Sequence, residues 1–596
     1  MDIRLQTKIV KLMTQVVDPS HATEPVVPVV HKKPRLPEGS PIKYPFPRVT
    51  PESCGISSSY IQSFLKEIDE DPTLDPHLMM ILKDGKVISE ACFGPYSMSD
   101  WHIEYSLTKT VTGLGIGLLV DDGLLDIDAS VFDIFGRKKP SHGFSSHKID
   151  ITVKDLLSMR SGVSFNEAGV VCSENWFEDF FNAGYKFKAN SKFDYNSMNS
   201  YMLAYIIHHL TGKTVCEYMG PRIFEPLGIT DYIWQVSPEG VEQGGMGLYL
   251  RIEDMAKLGY LIMNGGNWQG QQLISSAWIK TMIKKHSSAA STSDYFDYGY
   301  QIWVGRDTNS FLMNGMFGQN LLGLPDTGII ICSNFGNNES FQSSNYFKIL
   351  KKYFLNNEFR PSAQRIKYDF LKRYSLKKAE QNLRLRERHV RKTPFSQKSM
   401  EMFLPSLIGS FSCDMMRASS LSFMPFIVQG MQNSFAKGLS RIDIAHDGED
   451  LLFSFREGDD IYSIPVGLTD AKKSVVEFHG EPYKISAIGR FTFNEDEVPV
   501  FILTIRPLET ANMRRIKVYP AKDGLRFEFD ETPGAKFFID FVNNLDSGII
   551  PLALGILNRK IDPDYFEYRL RKVICPVVEA SRIQETDTET NIDQAN

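Results

Sequence analysis

A serine and a lysine stand three residues apart at the start of an apolar stretch, residues 104–125 (EYSLTKTVTGLGIGLLVDDGLL). On a helix, Ser106 and Lys109 would lie on one face, one turn apart. A serine hydroxyl becomes a strong nucleophile when a base takes its proton, and a lysine is such a base only when it is neutral. Burial against Val111 and Leu114, the positive end of a helix and any nearby cation would each lower the pKa of Lys109. The pair therefore predicts nucleophilic catalysis.

The Ser-x-x-Lys spacing is not specific by itself. It occurs six times, starting at Ser40, Ser63, Ser106, Ser145, Ser375 and Ser434. The copy at Ser106 differs from the others because an apolar segment follows it, in which Gly113, Gly115 and Gly117 allow close packing against a sheet. The chain has no GxGxxG or GxxxxGKS/T nucleotide loop, no GxSxG elbow and no HExxH zinc motif. Ser106 is therefore the candidate nucleophile.

The composition argues against several classes of protein. The 596 residues are 42% hydrophobic and 23% charged with a net charge of -6, and no basic run is interleaved with aromatic residues, so no nucleic-acid partner is expected. The seven cysteines lie far apart, which disfavours a zinc site or a disulfide framework and favours reduced thiols. Neither a signal-peptide core nor an apolar run long enough to span a bilayer occurs. We predict a soluble, cytoplasmic protein without a membrane span, of unknown oligomeric state.

Shifts in composition predict five segments along the chain. They are an N-terminal tail and Pro-rich arm (1–47), a mixed helix and strand domain (48–356), a charged linker (357–402), a β-rich C-terminal domain (403–580) and a disordered acidic tail (581–596). In the mixed domain, LMMILKDGKVISEACFG predicts two strands joined by a turn at Asp84-Gly85. In the C-terminal domain, short strands with a two-residue period predict an antiparallel barrel or sandwich.

Seven phrases in the mixed domain, which is about half of the chain, resemble the serine β-lactamase-like family and follow its order. They are PRVTPESCGISSSYI, YSLTKTVTGLGIGLLVDDGLLDIDASV, ITVKDLLSMRSGVSF, FDYNSMNSYMLAYIIHHLTGKTV, IFEPLGI, GGMGLYLRIEDMAKLGYLIMNGGNWQGQQLIS and YGYQIWV. The family includes class C β-lactamases, D-alanyl carboxypeptidases, and carboxylesterases and small amide hydrolases of the same fold. The resemblance implies an α/β (α+β) catalytic domain with an antiparallel sheet flanked by helices. It also implies an all-helical segment around residues 120–290, with Ser106 at the start of a long helix.

The second motif of the family is Tyr-x-Asn, and Tyr195-Asn196-Ser197 is similar to it. The resemblance implies that Tyr195 passes protons to and from the leaving group, with a pKa lowered by a cationic Lys109. Ser197 stands where the family often has asparagine, which implies a weaker polar clamp on a substrate amide. Asn196 or Asn199 could take over that contact.

The third motif of the family is Lys-Thr-Gly or His-x-Gly, and the best match is Met313-Asn314-Gly315, with Gly318-Gln319 just beyond. In the family, the cation of this motif helps to bind a substrate carboxylate. No Lys, Arg or His stands at this point of the chain. This departure disfavours β-lactams and carboxypeptidase substrates and implies an ester or a small amide.

The sequence thus predicts a serine hydrolase that acts through an acyl-enzyme and needs no metal or organic cofactor. Ser106 is the nucleophile, Lys109 and Tyr195 serve as general base, and backbone N–H groups form the oxyanion hole. The candidates for substrate and oxyanion binding are Ser197, Asn314, Gly315, Met316 and Gln319. Two alternatives remain open: a β-lactamase or D-alanyl peptidase with the same chemistry, and a catalytically inactive binding or sensing module of the same fold.

Overall fold

A computed structural model gives the architecture of most of the chain. It describes residues 40–140, 149–338, 344–356, 364–384, 394–413, 421–432, 434–436, 438–535 and 571–584, and the single residues 8, 32, 33, 35, 342, 359, 361, 362, 537 and 568. Most of the predicted N-terminal arm, the acidic tail from residue 585 and the Ser-x-x-Lys copy at Ser145 lie outside the described residues. The described chain forms two compact units, the first ending at Arg384 and the second following it.

The first unit contains a seven-stranded antiparallel sheet. Its strands and the short strands beside it are β1 (Pro76–Lys83), β2 (Lys86–Cys92), β3 (Trp101–Ile103), β4 (Ile233–Trp234), β5 (Leu248–Arg251), β6 (Asn267–Trp268), β7 (Gln271–Gln272), β8 (Phe296–Tyr298), β9 (Trp303–Gly305), β10 (Phe311–Gly315), β11 (Gln319–Leu324) and β12 (Ile329–Phe335). The strand order of the large sheet is β2-β1-β12-β11-β10-β9-β8. Every residue of β11 and β12 is buried, as expected for central strands covered on both faces.

The predicted hairpin at the start of the sheet is confirmed. Strands β1 and β2 pair antiparallel, and the two residues between them have positive φ angles, 50° at Asp84 and 68° at Gly85. Such angles at both central positions match the right-handed twist of the flanking strands. The Asp-Gly pair in the sequence therefore located this turn.

Helices surround the sheet of the first unit. They are α1 (Ser58–Glu70), α2 (Thr108–Asp121), α3 (Val131–Ile134), α4 (Val153–Leu157), α5 (Glu167–Val170), α6 (Trp176–Asn182), α7 (Ser197–Thr211), α8 (Val215–Met219), α9 (Ile252–Met263), α10 (Ser276–Met282), α11 (Asn345–Tyr353) and α12 (Phe370–Arg384). Helix α9 packs on strands β1, β11 and β12, while α2 packs against α7, α8 and α10. None of the described helices is both long and apolar enough to cross a membrane.

The prediction of an all-helical segment around residues 120–290 is wrong, because strands β4 to β7 lie within it. Strand β5 pairs with β3, the strand that leads into the Ser106 region. The backbone N–H of Glu104 also donates to the carbonyl of Leu248 at 2.8 Å. This pairing of distant segments supports the chain just before the candidate nucleophile.

Helix α2 packs closely on several neighbours through its glycines. A Cβ atom at Gly115 would lie 2.8 Å from Ile207, and one at Gly117 would overlap the ring of Trp278. Glycine inside a helix costs about 1 kcal/mol relative to alanine, so the close approach of these neighbours is the reason for its presence. Ser106 itself lies in the 3₁₀ turn Tyr105–Leu107 that directly precedes α2.

The second unit is a nearly closed antiparallel β-barrel. Its elements are α13 (Pro394–Leu407), β13 (Gly409–Cys413), α14 (Phe426–Met431), β14 (Leu439–Asp447), β15 (Asp450–Glu457), β16 (Asp460–Val466), β17 (Lys472–Phe478), β18 (Glu481–Phe493), β19 (Pro499–Pro507), β20 (Met513–Ala521), β21 (Gly524–Thr532) and β22 (Val577–Arg582). The strand order is β16-β15-β14-β13-β22-β21-β20-β19-β18-β17. Gly467, directly after β16, forms a bridge with Ile488 of β18 and brings the two ends of the sheet together.

The charged segment that we predicted as a linker contains helix α12, which belongs to the first unit. Leu376 and Leu383 of this helix are buried, and Ser89 of β2 donates to the carboxylate of Glu380 at 2.7 Å. Charged residues on the other faces of α12 concealed this short apolar stripe in the sequence. The five segment boundaries drawn from composition stay predictions.

Candidate active site

Ser106 and Lys109 lie in direct contact. Lys109 Nζ is 2.8 Å from Ser106 Oγ, 2.8 Å from Ser197 Oγ and 2.9 Å from the carbonyl oxygen of Gly245. A neutral amine has two N–H donors and one lone pair, so it can donate to Ser197 and Gly245 and accept the Ser106 proton. The side chain of Lys109 is 1% exposed, whereas Ser106 is half-buried and open to a substrate.

The buried position of Lys109 changes its acidity. Burial lowers the pKa of Lys109 from 10.5 to about 7, and the negative charge of Glu167 opposes part of this shift. The predicted direction of the shift is thus confirmed, and its main cause is the loss of water around the ammonium group. A lysine with this pKa is substantially neutral at physiological pH and can accept a proton from a hydroxyl.

Activity is expected to fall as the pH drops through about 7, because protonated Lys109 cannot accept the Ser106 proton. Below this pKa, kcat/KM should decrease about tenfold per pH unit, and above it should level off. The measurement is kcat/KM for p-nitrophenyl butyrate between pH 5.5 and 8.5, corrected for the spontaneous hydrolysis of the ester. A profile that is flat across this range would show that no group with a pKa near 7 acts as the base.

Tyr195 completes the group around the candidate nucleophile. Lys109 Nζ lies 4.9 Å from the centre of its ring, its ring stacks on Trp303 with centroids 5.5 Å apart, and the side chain of Ser106 lowers the pKa of its hydroxyl slightly. The prediction that its pKa falls is wrong, because burial raises the pKa of Tyr195 above the ordinary value. Because Lys109 is only partly protonated near pH 7, its positive charge opposes that effect only in part. Tyr195 is therefore a neutral phenol that can donate a proton.

The residues of the second motif have separate tasks. Ser197 binds Lys109 through its hydroxyl, so its oxygen helps to orient the amine. Asn196 caps helix α7 and donates to the carbonyls of residues 163 and 165. Asn199 accepts a hydrogen bond from Ser161 at 2.6 Å and is fully buried. Both asparagine side chains are thus engaged in the fold, so they do not replace the family asparagine as a substrate contact.

The third motif lies on β10, directly beside the turn that carries Ser106. A Cβ atom at Gly315 would overlap the carbonyl oxygen of Glu104, so only glycine allows this approach. Asn314 donates to the side chain of Asn320 at 2.5 Å and is 6% exposed, so its amide is used within the sheet. The structure thus brings Gly315 to the nucleophile and keeps the Asn314 side chain engaged with its neighbouring strand.

A buried polar chain connects the nucleophile turn to the end of the sheet. The carboxyl group of Glu104 accepts from Asn334 at 3.2 Å, and Asn334 also donates to Gln319 at 3.1 Å. Gln319 in turn donates to the carbonyls of Met316 and Phe335 at 3.1 and 2.7 Å. Its side chain therefore holds the turn after β10 and has no donor left for a substrate. The second oxyanion donor, at Met316 or Gln319, stays a prediction.

The position of Glu104 favours the uncharged form of its carboxyl group. Its side chain is fully buried, and burial raises the pKa of Glu104 well above its ordinary value despite the hydrogen bond from Asn334. An uncharged carboxyl group beside the nucleophile adds no repulsion to an oxyanion that forms nearby. Nothing in the local sequence marked this residue, because its partner Asn334 is 230 positions away.

Glu167 is a second residue that the sequence analysis missed. It begins α5, is half-buried, and accepts the backbone N–H of Ser197 at 2.7 Å through Oε1. Its charge acts on both Lys109 and Tyr195 and raises the pKa of each. In the described part of the chain, no three His, Cys, Asp or Glu residues cluster as metal ligands do.

Known proteins are similar in sequence to the part of the chain that carries these residues. The model of the family described as Beta-lactamase matches residues 77–346, which include the first two motifs and the third-motif strand. Residues 77–346 of the chain thus match the beta-lactamase family model, over a little less than half of its length. The chain is a serine hydrolase with the beta-lactamase fold. Residues 347–596, with the barrel, lie beyond the matched segment.

Similar proteins of the beta-lactamase fold include named hydrolases. The chain is 22% identical over 280 residues to the 6-aminohexanoate-dimer hydrolase of Paenarthrobacter ureafaciens, covering 42% of this chain and 70% of that protein. It is 27% identical over 197 residues to the lovastatin esterase of Penicillium rubens, covering 29% of this chain and 49% of that protein. The solved structure of EstCE1, a hydrolase with promiscuous acyltransferase activity, is 14% identical with a TM-score of 0.43 and covers 50% of this chain and 98% of that one. The chain thus spans about half the length of the lovastatin esterase.

Proposed function

We propose that this chain hydrolyses an ester or a small amide through an acyl-enzyme formed on Ser106. The observation that carries the proposal is the contact between Ser106 Oγ and the amine of Lys109 at 2.8 Å, combined with a Lys109 pKa of about 7. A buried lysine that is neutral in about half of the molecules near pH 7, in contact with a reachable serine, is the arrangement that activates a hydroxyl nucleophile.

The reaction begins when Lys109 takes the proton of Ser106 and Oγ attacks the carbonyl carbon of the substrate. The resulting oxyanion is stabilised by the backbone N–H of Ser106 and by a second N–H from the turn after β10. Tyr195 donates its proton to the departing alcohol or amine and recovers one from Lys109. Water then attacks the acyl-enzyme, gives a proton to the same residues, and releases the acid and free Ser106.

Two features support an ester or small amide as the substrate. The strand β10 carries Met313, where a cation for a substrate carboxylate would stand in the family. Two similar proteins are named a dimer hydrolase and an esterase. We also propose a cytoplasmic location, supported by seven cysteines that lie far apart in the sequence and show no disulfide framework pattern.

The test is hydrolysis of p-nitrophenyl butyrate by the wild type, Ser106→Ala and Ser63→Ala. Ser63 is a matched control, because it has the same spacing to a lysine but is exposed on α1. We expect Ser106→Ala to lower kcat/KM at least about 1,000-fold, as loss of a nucleophile does, and Ser63→Ala to leave it unchanged. Labelling by a fluorophosphonate should disappear in the same variant.

Each other outcome has a definite meaning. Equal activity of the wild type and Ser106→Ala would show that Ser106 is not the nucleophile. An inert wild type that no fluorophosphonate labels would favour the inactive sensing module. Turnover of nitrocefin at a rate that exceeds that of the ester would favour a β-lactamase.

A further inference from the structure

One carboxylate acts electrostatically on both titratable groups beside the candidate nucleophile. Ser197 connects Glu167 to the lysine. Its backbone N–H donates to the Glu167 carboxylate at 2.7 Å, and its hydroxyl oxygen accepts from Lys109 Nζ at 2.8 Å. Glu167 is half-buried, in contrast to the fully buried Glu104. Among the described residues, it is the charged group whose field acts on both Lys109 and Tyr195.

The side chains beside this carboxylate carry only part of a positive charge to balance it. Burial leaves Lys109 about half uncharged near pH 7, and Tyr195 is a neutral phenol because burial raises its pKa. The third motif has Met313 in place of a cation. Glu104 is fully buried, and burial favours its uncharged form by raising its pKa well above the usual range. Among these groups, Glu167 is therefore the carboxylate that is only half-buried and whose charge acts on both Lys109 and Tyr195.

We infer that this site selects esters or amides that carry a permanent positive charge near the scissile bond, and that Glu167 binds this charge. The inference rests on the proposed function and adds the substrate class to it. A half-buried carboxylate attracts a cation more strongly than an exposed one, because less water screens the pair. The same field repels a substrate carboxylate, so anionic esters should react most slowly.

The test compares esters of different charge, in which each cationic ester has an uncharged isostere of the same shape. On the acyl side, p-nitrophenyl 4-(trimethylammonio)butanoate is compared with its uncharged isostere p-nitrophenyl 5,5-dimethylhexanoate and with the anionic p-nitrophenyl monoester of glutaric acid. On the leaving-group side, 2-(trimethylammonio)ethyl butanoate is compared with 3,3-dimethylbutyl butanoate. The quantity is the ratio of kcat/KM for the cationic ester to that for the neutral one.

The decisive variant is Glu167→Gln, because glutamine keeps the oxygen that accepts the Ser197 N–H and loses only the charge. Removing Glu167 also alters the basicity of Lys109, but this change cancels in a ratio measured within one variant. The matched control is Glu70→Gln, which removes an equal charge from a residue that is 65% exposed on α1.

We expect the wild type to prefer the cationic ester about tenfold in at least one pair, as one partly buried ion pair provides. The preference should disappear in Glu167→Gln, weaken at 0.5 M salt and persist in Glu70→Gln. A ratio near one in both pairs, or a preference that survives in Glu167→Gln, would overturn the inference. If neutral esters are still hydrolysed through Ser106, the proposed function stands without it, whereas failure to hydrolyse any of these esters overturns both.

Discussion

Lys109→Met is expected to lower kcat/KM for p-nitrophenyl butyrate at least about 1,000-fold, within the range that general-base catalysis contributes. Methionine fills the space of the lysine stem but has no amine to take the Ser106 proton. The change also removes the donors to Ser197 and the Gly245 carbonyl, which costs about 1–3 kcal/mol of stability for unpaired buried acceptors. The loss of activity should therefore exceed by far any loss of folded protein, measured as the thermal midpoint.

Two further variants make the Lys109 prediction specific. Lys109→Arg keeps a long cationic side chain but stays protonated at every accessible pH, so it should be as inactive as Lys109→Met. Lys66→Ala removes the lysine of the exposed Ser-x-x-Lys copy on α1 and should have no effect. If Lys109→Arg retained activity above pH 7, the role of Lys109 would be electrostatic and another group would be the base.

Gly315→Ala is expected to reduce kcat about 100-fold with a much smaller change in KM, similar to the loss of one oxyanion donor. The new Cβ would overlap the carbonyl oxygen of Glu104 and lie 3.0 Å from the Cβ of Gln319. A backbone carbonyl cannot rotate away as a flexible side chain can, so β10 must move away from the turn of Ser106. This displacement separates the two sides of the proposed oxyanion hole.

The control for Gly315→Ala is Gly184→Ala, where the nearest atom to a new Cβ is Ser164 Oγ at an ordinary 3.7 Å. Gly184→Ala should keep full activity. Fluorophosphonate titration counts the folded sites in each preparation, so kcat can be expressed per active site. An unchanged kcat per site in Gly315→Ala would mean that β10 does not form one side of the oxyanion hole.

The contacts of the site that join residues close together in the sequence were predictable from the sequence. Ser106 and Lys109 meet because they are one helical turn apart, and the apolar run after them indicated burial. The contacts of Lys109 with Ser197 and Gly245 join residues 88 and 136 positions away. The Gly245 contact uses a backbone carbonyl, which every residue possesses, so no residue type in the sequence could reveal it.

The error on Tyr195 shows where sequence reasoning fails physically. A cation lowers the pKa of a phenol and burial raises it, and the sequence does not give the depth of burial that decides between them. The same limit applies to Glu104 and Glu167, two glutamates of the same type. One is fully buried, which favours its uncharged form, while the other is half-buried and acts on its neighbours as a charge.

The fold was predictable wherever one periodicity persisted over several residues. The hairpin at Asp84-Gly85 and the β-rich second unit followed from turn residues and alternation. The short strands β4 to β7 have two to four residues each, too few to establish a period. Alternation also could not distinguish a barrel from a sandwich, because closure depends on how the sheet curves rather than on which residues point inward.

The glycines of helix α2 have an evolutionary consequence. Gly113, Gly115 and Gly117 meet side chains from α7, α8, α10 and the loop before β9 at close range, so almost any substitution in this helix disturbs a packed neighbour. New substrate preferences can therefore arise only through residues outside α2, such as Glu167 at the start of a four-residue helix. Ser106 and Lys109 can stay unchanged while the surrounding segments diverge. The reaction and the substrate preference can therefore evolve independently.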